Sequence, residues 1–144
     1  MPAPFQAKLI EALEREAEFP PHRLVLDRGR PFDPRTLPEG VELGRRKCCF
    51  ANAWRVAKAG EGELAYVEGY TLHAGMPEWL ARHAWCVDRQ GRVGDPTWGA
   101  DRPLPLAYRG IELPLDAAEP YAYEFSVGTL EGVGEELPAL LARL

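Results

Sequence analysis

The chain has 144 residues, 46% of them hydrophobic and 27% charged, and a formal net charge of −5. That length suits one domain, residues 1–144, with a core of its own, and the composition is that of a globular chain rather than a disordered or fibrous one. The acidic balance, with Arg45-Arg46-Lys47 as its one compact basic run, argues against nucleic acid as a partner, and no apolar stretch approaches the ~20 residues that span a bilayer. The first residues, Met1-Pro2-Ala3-Pro4-Phe5, lack a charged region followed by an apolar one, so a cytoplasmic chain without a membrane partner is expected.

Phe5, Leu9, Ile10, Leu13 and Ala17 recur at helical spacing and predict a first helix over residues 5–19, ended by Pro20-Pro21. From Pro20 to Gly44, prolines at 20, 21, 31, 34 and 38 and glycines at 29, 40 and 44 predict a long irregular connection, with at most a short strand over residues 23–26. Phe50, Ala53, Trp54 and Ala57 then recur at i, i+3, i+4 and i+7 before Gly60, which predicts a buried helix over residues 49–59, entered at the cysteines. Residues 64–72, 84–87 with their flanks, and 92–98 are rich in aromatic and β-branched side chains between glycine-bearing turns and read as strands. Residues 111–115 and 121–127 add one or two more, and residues 137–144 close the chain as a leucine-rich helical turn or two. The expected class is α+β, with helices packed on an antiparallel sheet.

The three cysteines, at 48, 49 and 86, cannot all pair within one chain, and a bridge between adjacent residues is strained. They read as thiols in a reducing compartment. Cys49 opens a helix, where unpaired backbone N–H groups favour negative charge, and the basic residues 45–47 lie just upstream. A nucleophilic cysteine also needs a base, and the base works best when a carboxylate or amide fixes its tautomer. His83 and Asp95 fit those roles if Asp88-Arg89-Gln90-Gly91 is a tight turn with Gly91 in the left-handed region. Trp85 then stands opposite Asp95, and His83 lies one diagonal step away on the same face. A slip of one residue would separate them.

Cys49-Phe50-Ala51-Asn52-Ala53, His83-Ala84-Trp85 and Asp95-Pro96-Thr97, in that order, resemble the signature of transglutaminase-like proteins of the papain-like fold. The resemblance covers residues 45 to 98. It implies a papain-like core in which a cysteine-bearing helix packs on an antiparallel sheet, with Cys49 as nucleophile, His83 as base and then acid, and Asp95 as the group that orients His83. It also implies a peptide or protein amide substrate and a cysteine hydrolase or acyl transferase of the peptidase, amidase or deamidase type, without a cofactor. The alternative is a catalytically inactive module of the same fold that binds a peptide or protein. The glutamine or tryptophan that papain-like enzymes place before the cysteine has no counterpart here, so the oxyanion donors are unassigned.

Other residues compete for these roles. Cys48 is chemically identical to Cys49, but helix periodicity favours Cys49. Cys86 should face away from His83 and pack in the core. His22 and His73 are the other histidines, and His73, beside a glycine at a strand end, is expected at the surface. Trp85 and Trp98 are candidates for the walls of a substrate groove, and Glu68 and Tyr70 share a strand face from which either could touch substrate. No metal is expected, because the cysteine and histidine spacings match no common ligand pattern.

Overall fold

The computed structural model describes residues 4–35, 44–45, 47–98, 103–124 and 127–143. Helix α1 (Pro4–Arg15) buries Gln6, Leu9 and Leu13 on one face. A second helix, α2 (Pro20–Arg28), follows at once where an irregular connection was expected. The correction has a simple cause: Pro20 and Pro21 occupy the first turn, where a missing N–H costs nothing and a fixed φ favours helix, so they start α2 rather than only ending α1. Strand β1 (Arg30–Phe32) comes next, and most of the remaining connection, residues 36–43, lies outside the described residues.

Helix α3 (Cys49–Ala59) has the expected bounds. Strands β2 (Leu64–His73), β3 (Trp79–Asp88), β4 (Val93–Gly94) and β5 (Ala107–Leu113) complete an antiparallel sheet in the order β1-β5-β2-β3-β4. Of the strand expected over residues 92–98, only the two residues of β4 pair, with Val87 and Cys86. The chain then leaves the sheet at Asp95, whose side chain accepts the N–H groups of Thr97 and Trp98 in a tight turn.

Beyond β5, residues 121–124 are not a strand: α4 (Leu115–Ala118) runs into a π-helical turn (Glu119–Glu124). The alternating tyrosines suggested period two, yet the buried Ala118 and Ala122 are four residues apart on the face turned to α3. Trp54 of α3 holds this segment by donating to the Leu115 carbonyl (2.9 Å) and stacking on Tyr123. Short helices α5 (Thr129–Gly132) and α6 (Leu137–Leu141) end the described chain.

The sheet is covered on both faces. Tyr66, Tyr70, Leu72, Ala84, Cys86 and Ile111 pack with Leu9, Leu13, Phe50, Ala53, Trp54 and Ala57 of α1 and α3. On the other face Val67, Trp85, Val87, Val93, Tyr108 and Phe32 form a second, smaller cluster. A side chain at Gly110 would collide with the Trp85 ring, so glycine there lets that ring lie flat across β5. The structure is α+β, as expected, and the cysteine-bearing helix lies on the sheet.

Candidate active site

Cys49 is the first residue of α3, and Cys48 before it makes no side-chain capping bond. The first-turn N–H groups therefore leave an uncompensated positive end at Cys49. The turn that delivers this end includes Lys47 at φ 63°, a conformation that costs a non-glycine residue about 1–2 kcal/mol. Asn52, one turn into the helix, is buried and donates to the Arg45 carbonyl (2.8 Å) and to the Thr97 hydroxyl (2.9 Å). One amide thus ties the segment before Cys49 and the segment after Asp95 to the same helix.

His83 reaches Cys49 because β4 is so short. Only Val87 and Cys86 of β3 are paired by β4, which leaves the β3 edge open at His83, and there the start of α3 brings Cys49 beside the imidazole, both lining one cavity. Ring nitrogen Nε2 donates to Asp95 Oδ2 at 2.7 Å, so Nδ1 is the nitrogen left for Cys49. Register explains the pair: Asp88 and Arg92 close a three-residue turn with Gly91 at φ 81°, and Cys86 stands opposite Gly94. Asp95 therefore follows in line with Trp85, one diagonal step from His83, as the turn chemistry predicted.

Burial disfavours a charge on either member. For Asp95 the cationic imidazole, its hydrogen bond, the Thr97 N–H and the Tyr108 hydroxyl (2.8 Å) more than offset that penalty and hold the carboxyl below its ordinary range. For His83 burial likewise pushes toward the neutral form, but Asp95 and then Cys49 outweigh it and hold the imidazole above its ordinary range. Tyr108 itself is pushed far up by burial and by the Asp95 charge, so it serves only as a donor.

In front of Cys49 and His83 lies a cavity of about 440 Å³ whose floor is largely apolar, with Phe50, Ala81, Trp98 and Pro103 in its walls. His73 is also in the wall, not at the surface where its place at a strand end put it. It is 5% exposed, stacked on Trp79 at 4.3 Å, tilted against Trp98 at 5.0 Å, and bonded through Nε2 to the Thr71 hydroxyl (2.8 Å). Burial, reinforced by the neighbouring His83 charge, lowers its pKa to about 4, so His73 is a neutral imidazole at ordinary pH.

The remaining candidates separate cleanly. Trp98 lines the cavity, whereas Trp85 is fully enclosed between Phe32, Tyr108 and His83 and cannot touch a ligand in it. Trp85 instead backs the imidazole at 6.0 Å, nearly parallel to it. Cys86 is buried, donates to the Ala53 carbonyl (3.2 Å), and has its thiol pushed up by burial. Glu68 is buried on the helical side of the sheet, away from the cavity, and Tyr70 donates to Glu131 at 2.9 Å. His22 packs edge-on against Tyr70 and Phe19. Of the basic run, Lys47 lines the cavity, Arg45 is exposed, and Arg46 lies outside the described residues.

Sequence reasoning missed Asn52, Tyr108 and His73. A signal existed for Asn52, a polar residue on the apolar face between Phe50 and Ala53. None existed for Tyr108, which lies in a strand whose first half was not predicted. Among the described residues no group of three His, Cys, Asp or Glu side chains could hold a metal ion, and no helix is long and apolar enough to cross a membrane. No family model, curated protein or solved structure matches the chain.

Proposed function

We propose that this chain is a cysteine-dependent hydrolase or acyl transferase acting on amide bonds, with a transglutaminase-like, papain-like active site made of Cys49, His83 and Asp95. The observation that carries the reading is the relay itself: a thiol at a helix start, sharing a cavity wall with an imidazole whose far nitrogen is held by a fully buried carboxylate at 2.7 Å. Core histidines rarely need an ionised partner, because burying a charge costs several kcal/mol unless it is paired. A persistent imidazolium beside a thiol serves to stabilise sulfur charge and then to deliver a proton.

The chemistry follows from the geometry. The Cys49 proton already rests on His83 Nδ1 when sulfur attacks the substrate carbonyl carbon, and first-turn N–H groups of α3 stabilise the oxyanion. The C–N bond breaks as Nδ1 returns the proton to the leaving nitrogen, and a thioester remains on Cys49. Water, giving up a proton to Nδ1, attacks the thioester and releases a carboxylic acid as the sulfur anion and the imidazolium are restored; an amine in the same place gives transfer instead. Asp95 keeps Nε2–H engaged throughout, so that Nδ1 is the nitrogen that exchanges protons.

The test is alkylation by iodoacetamide near pH 7, followed at each cysteine by mass spectrometry. Cys49 is expected to react faster than Cys48 and faster than N-acetylcysteine. Replacing the base, His83→Ala, should slow Cys49 by about a hundredfold, the lower end of what a positioned base contributes. Buried Cys86 is the internal control and should stay unmodified. Slow alkylation that ignores His83 would leave a peptide-binding module as the reading.

A further inference from the structure

The charge around this cavity runs against the charge of the chain. The whole sequence has 22 acidic and 17 basic residues, yet the described cavity wall contains Lys47, Arg82 and the two imidazoles and no carboxylate. Of the described acids nearby, Asp95 lies behind His83, fully enclosed and spent on four donors, and Glu131 stands beside Arg82 outside the wall. Resting on the reading above, we infer that the site takes an acyl substrate carrying an anionic group, a carboxylate in the simplest case, which Arg82 and Lys47 receive from the cavity wall they share with Cys49.

Arg82 is placed for that role rather than left to wander. It precedes His83 on β3, its guanidinium stands 3.6 Å from Glu131 and 6.0 Å over the ring of Phe50, the residue after the nucleophile. Glu131 is itself engaged by the Tyr70 hydroxyl, so it holds the guanidinium without fully using its five donors. Lys47 stands two residues before Cys49 in the left-handed turn, which sets its side chain in the wall of the cavity. The apolar floor of Phe50, Ala81 and Trp98 would receive the carbon skeleton. A cleft with low-dielectric walls and cations at its rim concentrates anions, and His73, kept neutral, adds a hydrogen-bonding edge without adding charge.

The experiment compares iodoacetate with iodoacetamide, which differ chiefly in charge, as alkylators of Cys49 in the full chain. The readout is the ratio of the two rates, referred to the same ratio for N-acetylcysteine. The ratio at Cys49 is expected to be raised about tenfold at low ionic strength and to fall as salt is added. Arg82→Gln and Lys47→Gln should each lower it at least threefold, and Arg82→Lys should recover most of the loss. Both residues are exposed, so neither change threatens folding. A ratio equal to that of N-acetylcysteine, or one that neither substitution moves, while iodoacetamide still reacts fast and in a His83-dependent way, overturns the anionic substrate and leaves the enzyme reading standing. Slow, His83-independent reaction with both reagents overturns both.

Discussion

Among the described residues two carboxylates are wholly buried, and they are nearly matched. Asp95 accepts two backbone N–H groups, from Thr97 and Trp98, and one tyrosine hydroxyl, from Tyr108. Glu68 accepts two backbone N–H groups, from Thr129 and Leu130 at the start of α5, and one tyrosine hydroxyl, from Tyr66 at 2.6 Å. The difference is the imidazole, which only Asp95 has. With it, the Asp95 carboxyl is held below its ordinary range; without it, burial outweighs the three donors and pushes Glu68 up. Hydrogen bonds alone do not offset the burial of a carboxylate here, whereas a cation does. One carboxylate therefore serves charge chemistry, and the other pins the C-terminal segment to β2.

The sharpest way to break the comparison is to remove one acid at a time. Asp95→Ala strands a buried imidazole and should cost about 3–5 kcal/mol in urea unfolding at pH 6, with Cys49 alkylation falling alongside. Glu68→Gln keeps the shape and most of the acceptor and should cost no more than about 1 kcal/mol. Equal costs for the two would mean that His83 carries no charge in the folded state.

The pH dependence sharpens it further. His83 is displaced upward on folding, so its contribution is complete below about pH 6.5 and is lost as pH rises toward the folded value. Asp95 is displaced downward, so its contribution is present above about pH 3.9 and is lost as pH falls through the folded value. The stability gap between the parent and Asp95→Asn should accordingly be widest between about pH 4 and 6.5 and narrow on the alkaline side. Glu68 is displaced upward, so it favours the fold increasingly as pH falls toward about 4.3. The parent should gain on Glu68→Gln over that same descent, and thermal unfolding of the three proteins from pH 4 to 9 separates the two trends. A flat Asp95→Asn gap would count against the ion pair.

The smallest effect expected is at the tyrosines. Tyr108→Phe removes a donor from an ionised acceptor and should cost about 2 kcal/mol, against about 1 kcal/mol for Tyr66→Phe, whose acceptor burial pushes toward its neutral form. Denaturant midpoints for the pair check the order, and a reversed order would place the charge on the wrong carboxyl.

Local chemistry determined a good part of this protein without help from the rest of the chain. The Phe50, Ala53, Trp54 and Ala57 repeat specified α3 with its bounds, and the Asp88–Gly91 turn specified the register that lines up Asp95 with Trp85 and sets His83 one step away, because one positive-φ glycine and a side-chain period of two leave little choice. Tertiary structure decided what depends on distant partners. Residues 121–124 alternate like a strand but coil beneath Trp54, Pro20-Pro21 looks like a stop yet begins α2, and His73 looks exposed until Trp79 and Trp98 close over it. The two buried acids, Glu68 and Asp95, could not be told apart in ionisation from the sequence, because what separates them is a single imidazole, brought to Asp95 by strand pairing and kept from Glu68 by the sheet between them.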